Sequence, residues 1–296
     1  MRRFNKILLL VSMWLFIIGV ILTVFGAING GFSKMANIHP KSSFISMDFD
    51  FSSSNEEAGG DYSVSEGEEV LYDATGIKKF EISAGACILN VKSSEDGKIH
   101  VWSSKNAKVK SSCNNGNLVI KMEDAKKVHN DRIINILMPE NMHFEEVELE
   151  LGAVDMTSDI QFECDDFNMK VGAGTVTLSG LKAEKIKVDE GAGEIAITRA
   201  FLGDADFDIG MGNLTLDGDI EGDLDLDMSM GNVSITLDSD IKNHNYNIDC
   251  AAGNVKIGNE DISTLASSKH IDNGAESNFD IDCQMGNLDI IFADKM

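Results

Sequence analysis

The stretch Met169-Lys-Val-Gly-Ala-Gly-Thr-Val-Thr-Leu178 recurs along the second half of this chain with the same alternation of apolar and polar residues. The next two copies are Val188-Asp-Glu-Gly-Ala-Gly-Glu-Ile-Ala-Ile197 and Phe207-Asp-Ile-Gly-Met-Gly-Asn-Leu-Thr-Leu216. Three further copies are centred on Gly231, Gly253 and Gly286. Alternation on both sides of a glycine predicts two short β-strands, each with one buried face, joined at a small-residue corner.

The spacing of the copies predicts how they pack. The first four corner glycines are 19 residues apart, and the last two follow after 22 and 33 residues. A unit this short cannot bury its apolar side alone, whereas stacked copies can, so we predict an all-β fold of the β-solenoid class. A repetitive antiparallel sandwich is the structural alternative. The longest step places an irregular loop, Gly258 to Asn278, inside the array.

Weaker copies of the repeat lie earlier in the chain, at Ile82 to Leu89, at Leu149 to Met156 and around Gly116-Asn117-Leu118. They indicate that the β domain starts well before the strongest repeats. We therefore predict a basic N-terminal part of the β domain at residues 71–147 and an acidic repeat solenoid at residues 148–296.

The repeats support a resemblance to a known family. Together with Asn135-Ile-Leu-Met-Pro139 and the following strand at Val147 to Leu151, they resemble the bacterial "putative adhesin" domain of unknown function over about residues 71 to 292. This is a repeated β-strand family that includes LiaG-like envelope proteins. The resemblance implies a β-solenoid on the outer face of a bacterial membrane, in some members linked to envelope-stress signalling. It brings no catalytic residues that could be assigned to this chain.

An apolar run near the start of the chain predicts membrane attachment. The residues from Ile7 to Ile28 contain no charged side chain, and as a helix they would cover the roughly 30 Å hydrocarbon core. Arg2, Arg3 and Lys6 precede the run, which keeps this end in the cytoplasm and the body outside. We predict a cytoplasmic tip and uncleaved signal anchor at residues 1–29, with a cleaved signal peptide as the alternative. A Ser, Gly and acid-rich linker at residues 30–70 follows.

The charge of the chain restricts its partners. There are 25 Lys and Arg residues against 49 Asp and Glu residues, a net charge of −24, which argues against nucleic-acid binding. The segment from Lys78 to Arg132 is the exception, with eleven basic and six acidic residues. This segment could contact anionic lipid or an anionic envelope polymer, or it could be a solvated surface of mixed charge. The expected partner is an unidentified envelope protein or polymer.

Two columns of the repeat alignment are acidic. Both columns fall at outward positions. When the copies stack, each column becomes a row in which side chains of neighbouring coils are about 4.8 Å apart. We call Asp206, Asp225 and Asp280 the first acidic row, and Asp208, Asp227 and Asp282 the second acidic row. From Ala200 to Ile241 the chain has eleven acids and no Lys or Arg.

Aspartates of like charge on neighbouring strands repel one another, so these rows need screening. Water and salt can supply it, and an outward acidic face also keeps a sheet soluble. The alternative is Ca²⁺ bridging successive carboxylates in the two rows. The chain lacks both the nonapeptide of calcium β-rolls and an EF-hand loop, which argues against Ca²⁺.

Two further positions of the repeat stand out. The residue after the corner glycine is asparagine in four copies, which predicts a structural ladder of side-chain amides: Asn213, Asn232, Asn254 and Asn287. Glu190 occupies a column that is otherwise apolar or cysteine. Because a buried unpaired carboxylate costs several kcal/mol, we expect a local shift of the strand that turns Glu190 outward.

Catalytic and redox signals are weak. Cys250 and Cys283 share an inward column and would be able to form a disulfide if their coils are adjacent in an oxidising compartment. The histidines show no triad or metal-ligand spacing. The alternative to a binding or scaffold module is a Ca²⁺-dependent polysaccharide-active enzyme, which would need Arg199 in a groove beside aspartates. We expect the protein not to be an enzyme.

Overall fold

The computed structural model describes residues 62–64, 69–104, 106–123, 132–261 and 267–293. These residues form one sheet of fifteen strands and a single short 3-10 helix at Ile241–Asn243. The strands are β1 (Tyr62–Val64), β2 (Val70–Asp73), β3 (Lys79–Ser94), β4 (Lys98–Ser103), β5 (Val109–Asn114), β6 (Asn117–Met122), β7 (Ile133–Pro139), β8 (His143–Ser158), β9 (Phe162–Leu178), β10 (Leu181–Ile220), β11 (Leu224–Leu237), β12 (His244–Ile257), β13 (Glu260–Asp261), β14 (Ser267–Ile271) and β15 (Ser277–Phe292).

The repeats stack as parallel coils. In β9 and β10, Met169 lies beside Val188 and Gly174 beside Gly193, so partners are one 19-residue repeat apart. The same offset joins β10 to β11. The predicted all-β fold is confirmed, and this stacking is the arrangement expected of a β-solenoid.

Each coil contains three pairing segments, whereas the alternation pattern predicted two strands. β9 and β10 pair over residues 162–164, 166–171 and 173–178 of β9, and the pairing skips Asp165 and Gly172. The first run is only three residues long, too short to show a period-2 pattern in the sequence. Its apolar residues Phe162 and Cys164 are nevertheless buried and belong to the continuous core.

The N-terminal coils confirm two of the three weaker copies. Ile82 pairs with Leu149 and Leu89 with Met156, so β3 stacks on β8 in the register of the later repeats. The copy around Gly116 is formed only in part, because Asn117 and Leu118 stack in parallel on Lys79 and Phe80 of β3 but in a different register from the other copies. Asn115 and Gly116 both have positive φ and form the turn of the antiparallel β5–β6 hairpin, not a coil corner.

The distal coils do not stack in chain order. β15 pairs in parallel with β11 on one side and with β12 on the other, so the later coil lies between two earlier ones. The step from β11 to β12 is three residues longer than the standard repeat, and it contains the 3-10 helix. The predicted loop at Gly258 to Asn278 contains β13 and β14, which pair antiparallel with β12.

The predicted membrane span at residues 7–28 lies outside the described residues, as does most of the predicted linker. Tyr62–Val64, inside that linker, pairs antiparallel with β5, so part of the linker belongs to the sheet. Within the described ranges there is no helix with the length and apolar character needed to cross a membrane.

Candidate functional site

The two acidic rows are formed as predicted, and the order of the coils makes them continuous. Asp225 pairs with Asp206 on one side and with Asp280 on the other. Asp227 lies in the same way between Asp208 and Asp282. All six side chains face outward, Asp206 being half-buried and the other five exposed.

A third row, which the repeat alignment did not single out, runs beside the first acidic row. Lys185 pairs with Asp166, and the backbone N–H of Asn278 donates to Asp223 Oδ1 over 2.7 Å. Asp204 belongs to the same row, because its Oδ1 accepts from the backbone N–H of Asp223 over 3.2 Å. The spacing of Asp204, Asp206 and Asp208 at every second residue was a signal from which this row could have been inferred.

The third row and the first acidic row line an open groove of about 580 Å³. Its depth follows from the core beneath it. The inward column at this level carries phenylalanine at Phe167 and Phe279, but between them the floor is formed by the smaller Ile186, Ala205 and Leu224. The groove is lined by six aspartates and two lysines: Asp166, Asp204, Asp206, Asp223, Asp225, Asp280, Lys185 and Lys187.

The groove is negative over most of its length. Lys187 Nζ donates to Asp206 Oδ2 over 2.6 Å, and this hydrogen bond raises the pKa of Lys187. Partial burial raises the pKa of Asp225, and the neighbouring carboxylates of Asp227, Asp206 and Asp280 raise it further. The same two causes, burial first, raise the pKa of Asp227 in the second acidic row. This part of the surface therefore favours a positively charged ligand.

The structure does not gather these aspartates around one point. In the part of the chain that is described, no group of three or more His, Cys, Asp or Glu side chains is placed to hold a metal ion. Ca²⁺ would have to draw the outward carboxylates together, and binding of Ca²⁺ by the two rows stays a prediction.

The asparagine ladder is confirmed. Asn232 Nδ2 donates to Asn213 Oδ1 over 2.8 Å, and Asn287 Nδ2 donates to Asn232 Oδ1 over 2.7 Å. Asn254 Nδ2 completes the ladder with a bond of 2.9 Å to Asn287 Oδ1. Each exposed amide thus ties one coil to the next at the corner.

The expectation for Glu190 was wrong, because its side chain is only 1% exposed and points into the core. Neither carboxylate oxygen has a hydrogen-bond partner. The carboxyl group occupies the space that a Cβ would fill at Gly212 in the next coil, so the absence of a side chain there accommodates it. Burial raises the pKa of Glu190 to about 7, with a smaller contribution from Glu194.

Arg199 does not line the acidic groove. Its backbone has φ of 51°, and its Nε donates to the carbonyl of Ser179 over 2.6 Å, so the side chain holds a turn between coils. The groove beside Arg199 that the enzyme alternative requires is not formed by these residues.

Cys250 and Cys283 lie on adjacent strands and pair in register, as the disulfide hypothesis requires. Both are free thiols in the structure and both are buried. Burial, with Cys250 beside it, raises the pKa of Cys283 to about 12, which keeps this thiol protonated and weakly nucleophilic.

Several lysines of the basic segment form ion pairs with glutamates. Lys78 and Lys79 lie 2.6 Å from Glu145 and Glu146, which belong to β8. Lys121 pairs with Glu81 inside the segment over 2.9 Å. These contacts favour the alternative of a solvated surface of mixed charge.

A family model described as Toastrack DUF4097 matches residues 89–290, which include the stacked coils, the acidic groove and the asparagine ladder. The chain belongs to the Toastrack DUF4097 family. The predicted resemblance to a domain of unknown function of the "putative adhesin" type is therefore confirmed. A search among curated proteins found no match.

Solved structures that resemble this Toastrack chain are distant. A "putative cell adhesion protein" from Clostridium sporogenes is 14% identical, covers 79% of this chain and 100% of its own, and has a TM-score of 0.36. A "putative adhesin" from Parabacteroides distasonis is 12% identical over 76% of this chain and 94% of its own, with a TM-score of 0.38. One from Bacteroides fragilis is 14% identical over 76% and 96%, with a TM-score of 0.32.

Proposed function

We propose that this Toastrack chain is a non-catalytic binding or scaffold module on the outer face of a bacterial cell envelope, held at the membrane through residues 7–28. Its acidic groove receives a positively charged segment of another envelope protein. The single observation that carries the proposal is the groove itself, in which six aspartates on adjacent coils face only two lysines.

The charge and shape of the groove select the class of partner. Anionic lipids and anionic envelope polymers would be repelled by the carboxylates of Asp204, Asp223 and Asp225. A basic polypeptide can lie across several coils and replace the repulsion within each row by attraction. The stacked coils hold these carboxylates on a rigid sheet, so little ordering is needed when the partner binds.

The groove can be tested with an octalysine peptide carrying a fluorescent label, titrated into the full-length chain in mild detergent and followed by anisotropy. We expect saturable binding that weakens as salt is raised, and no binding of octaglutamate. The variant Asp204→Asn/Asp223→Asn/Asp280→Asn should weaken octalysine binding by about tenfold or more, since three charges in the groove are removed.

A matched variant removes the same charge elsewhere. Asp217→Asn/Asp238→Asn/Glu260→Gln changes three exposed acids outside the groove and should change octalysine binding by less than about threefold. If both variants weakened octalysine binding equally, binding would depend only on the net charge of the chain, and the proposed site would be overturned.

The location is tested separately. With a C-terminal epitope on the full chain in a bacterial host, we expect membrane fractionation and cleavage of the epitope by protease added to intact spheroplasts. Protection of the epitope in intact spheroplasts and its loss only after lysis would contradict the outward topology. A variant deleted for residues 7–28 should leave the membrane fraction.

A further inference from the structure

A row of methionines runs across the coil corners next to the asparagine ladder. Met230 pairs with Met211 in one neighbouring coil and with Met285 in the other. We call these three residues the methionine row. Beyond them the same position is alanine, at Ala252 beside Met285 and at Ala192 one repeat before Met211, so the row holds three thioethers.

The methionine row is accessible. Met211 is 55% exposed and Met285 is 45% exposed, while Met230 between them is half-buried. A glycine follows each methionine, and the small residues Gly210 and Ser229 precede Met211 and Met230, whereas Gln284 precedes Met285. Single exposed apolar side chains are common on soluble domains, whereas several that lie together can mark a binding site, and these three methionines are neighbours on adjacent coils.

The row depends on the exchanged order of the distal coils. Had the coils stacked in chain order, β12 would follow β11, and Ala252 would separate Met230 from Met285. Because β15 lies directly against β11, the three thioethers are neighbours. The hydrogen-bonded ladder of Asn213, Asn232 and Asn287 at the adjacent row holds the spacing of these three coils.

We propose that the methionine row binds a soft monovalent cation, Cu⁺ or Ag⁺, through the three Sδ atoms. Thioether sulfur prefers soft ions such as Cu⁺ over Ca²⁺, Mg²⁺ and Zn²⁺. Neighbouring coils are about 4.8 Å apart, and the three rotatable bonds of each methionine allow the outer two sulfur atoms to lean toward the central one. A site in which all three sulfur atoms contact one ion is then within reach.

The surrounding charge supports a cation. Three residues before each methionine lies a member of the second acidic row, Asp208, Asp227 or Asp282. No Lys or Arg occurs from Ala200 to Ile241, which covers two of the three coils. Since thioethers are neutral, the bound ion keeps its positive charge, and the neighbouring carboxylates lower its energy.

The test uses Ag⁺, which needs no reductant, with the full chain labelled at the methionine methyl carbon and held in chloride-free buffer. Thiols accessible in the native chain are first blocked with N-ethylmaleimide. In NMR spectra, three of the methionine methyl signals should shift on addition of about one equivalent of Ag⁺. Single substitutions Met211→Leu, Met230→Leu and Met285→Leu assign those signals, and Ca²⁺ should not move them.

Calorimetry then measures the site with matched variants. Met211→Leu/Met230→Leu/Met285→Leu should lose about one equivalent of bound Ag⁺, since leucine keeps the size but removes the sulfur. The control Met156→Leu/Met169→Leu/Met228→Leu removes three buried thioethers and should keep the wild-type stoichiometry. Wild-type Ag⁺ binding in the first variant, or shifts confined to other methionines, would overturn the proposal.

Discussion

The coils of β3, β8 and β9 share one backbone register with those of β10, β11 and β15, but their outward rows differ in charge. In the first group, Lys79 of β3 pairs with Glu146 of β8, and Glu163 of β9 pairs with Lys182 at the start of β10. In the second group the pairing places Asp225 beside Asp280. The fold accepts both arrangements, so the uncompensated acids of the distal coils are not required for stacking. The proposed binding groove lies among these acids.

The corner glycines run through the second group as far as Gly174 of β9, whereas Val154 and Cys87 hold this position in β8 and β3. Replacing a corner glycine should give the largest effect. At Gly231 the φ is 155°, and a Cβ would collide with the backbone oxygen of Gly212 in the adjacent coil. Gly231→Ala should lower the free energy of unfolding by about 4 kcal/mol. Gly97, in an open turn with no atom near a Cβ, is the control. Denaturant midpoints measure both, and equal losses would mean that close stacking at the corner does not matter.

Glu190 lies in the first coil of β10, where the paired coils meet the acidic ones. Its pKa of about 7 lies above the usual value of 4.5, so the folded chain retains a proton that the unfolded chain has released between these pH values. Stability is therefore lost as pH rises through this window. Glu190→Met should raise the free energy of unfolding at pH 8 by about 3 kcal/mol at most and change it little at pH 4. Thermal unfolding at both pH values of both chains tests this. An equal gain at pH 4 and pH 8 would show that packing, not charge, is responsible.

Ca²⁺ provides a direct test of the acidic group of coils. If the first and second acidic rows bind Ca²⁺, the ion at 100 times its dissociation constant should stabilise the chain by about 2.7 kcal/mol relative to EDTA. Mg²⁺ serves as the control for simple screening, and Asp208→Asn/Asp227→Asn should abolish the difference. Equal shifts of the melting temperature with Ca²⁺ and Mg²⁺ would show that the two acidic rows are only screened by ions and do not bind Ca²⁺ selectively.

The smallest expected change is in the free energy of unfolding when one outward acid is neutralised, and its sign should differ between the two groups of coils. Asp227→Asn relieves repulsion with Asp208 and Asp282, whereas Glu146→Gln removes the partner of Lys79. The first should stabilise and the second should destabilise, each by less than about 1 kcal/mol, and both changes should fade at high salt. Urea unfolding at low and high ionic strength measures them. The same sign in both would refute the difference in charge pairing between the two groups.

Most of this architecture could be predicted from the repeat, because alternation and glycine spacing are local properties of the chain. The register at Gly174 and Gly193, the outward rows and the asparagine ladder all follow from aligning the copies. The position of β15 could not be read in this way. All coils present the same apolar face and pair with the same hydrogen bonds, so the sequence pattern does not state which coil lies beside which.

Glu190 and the groove show a second limit. Whether a carboxyl group fits inside depends on the neighbouring coil, where Gly212 leaves the space that it fills. The groove depends likewise on the sizes of Ile186, Ala205 and Leu224 on three successive coils. These are properties of stacked columns, and they become visible only once the stacking order is known.

The insertion of β15 between β11 and β12 also determines the order in which the distal strands can pair during synthesis. During synthesis β12 emerges from the ribosome before β15, yet its interior edge pairs only with β15. The distal coils therefore cannot reach their final pairing as the chain emerges one coil at a time, unlike β8, β9 and β10. Until β15 arrives, β11 and β12 each present a strand edge without its final partner, and such edges can mispair with other strands.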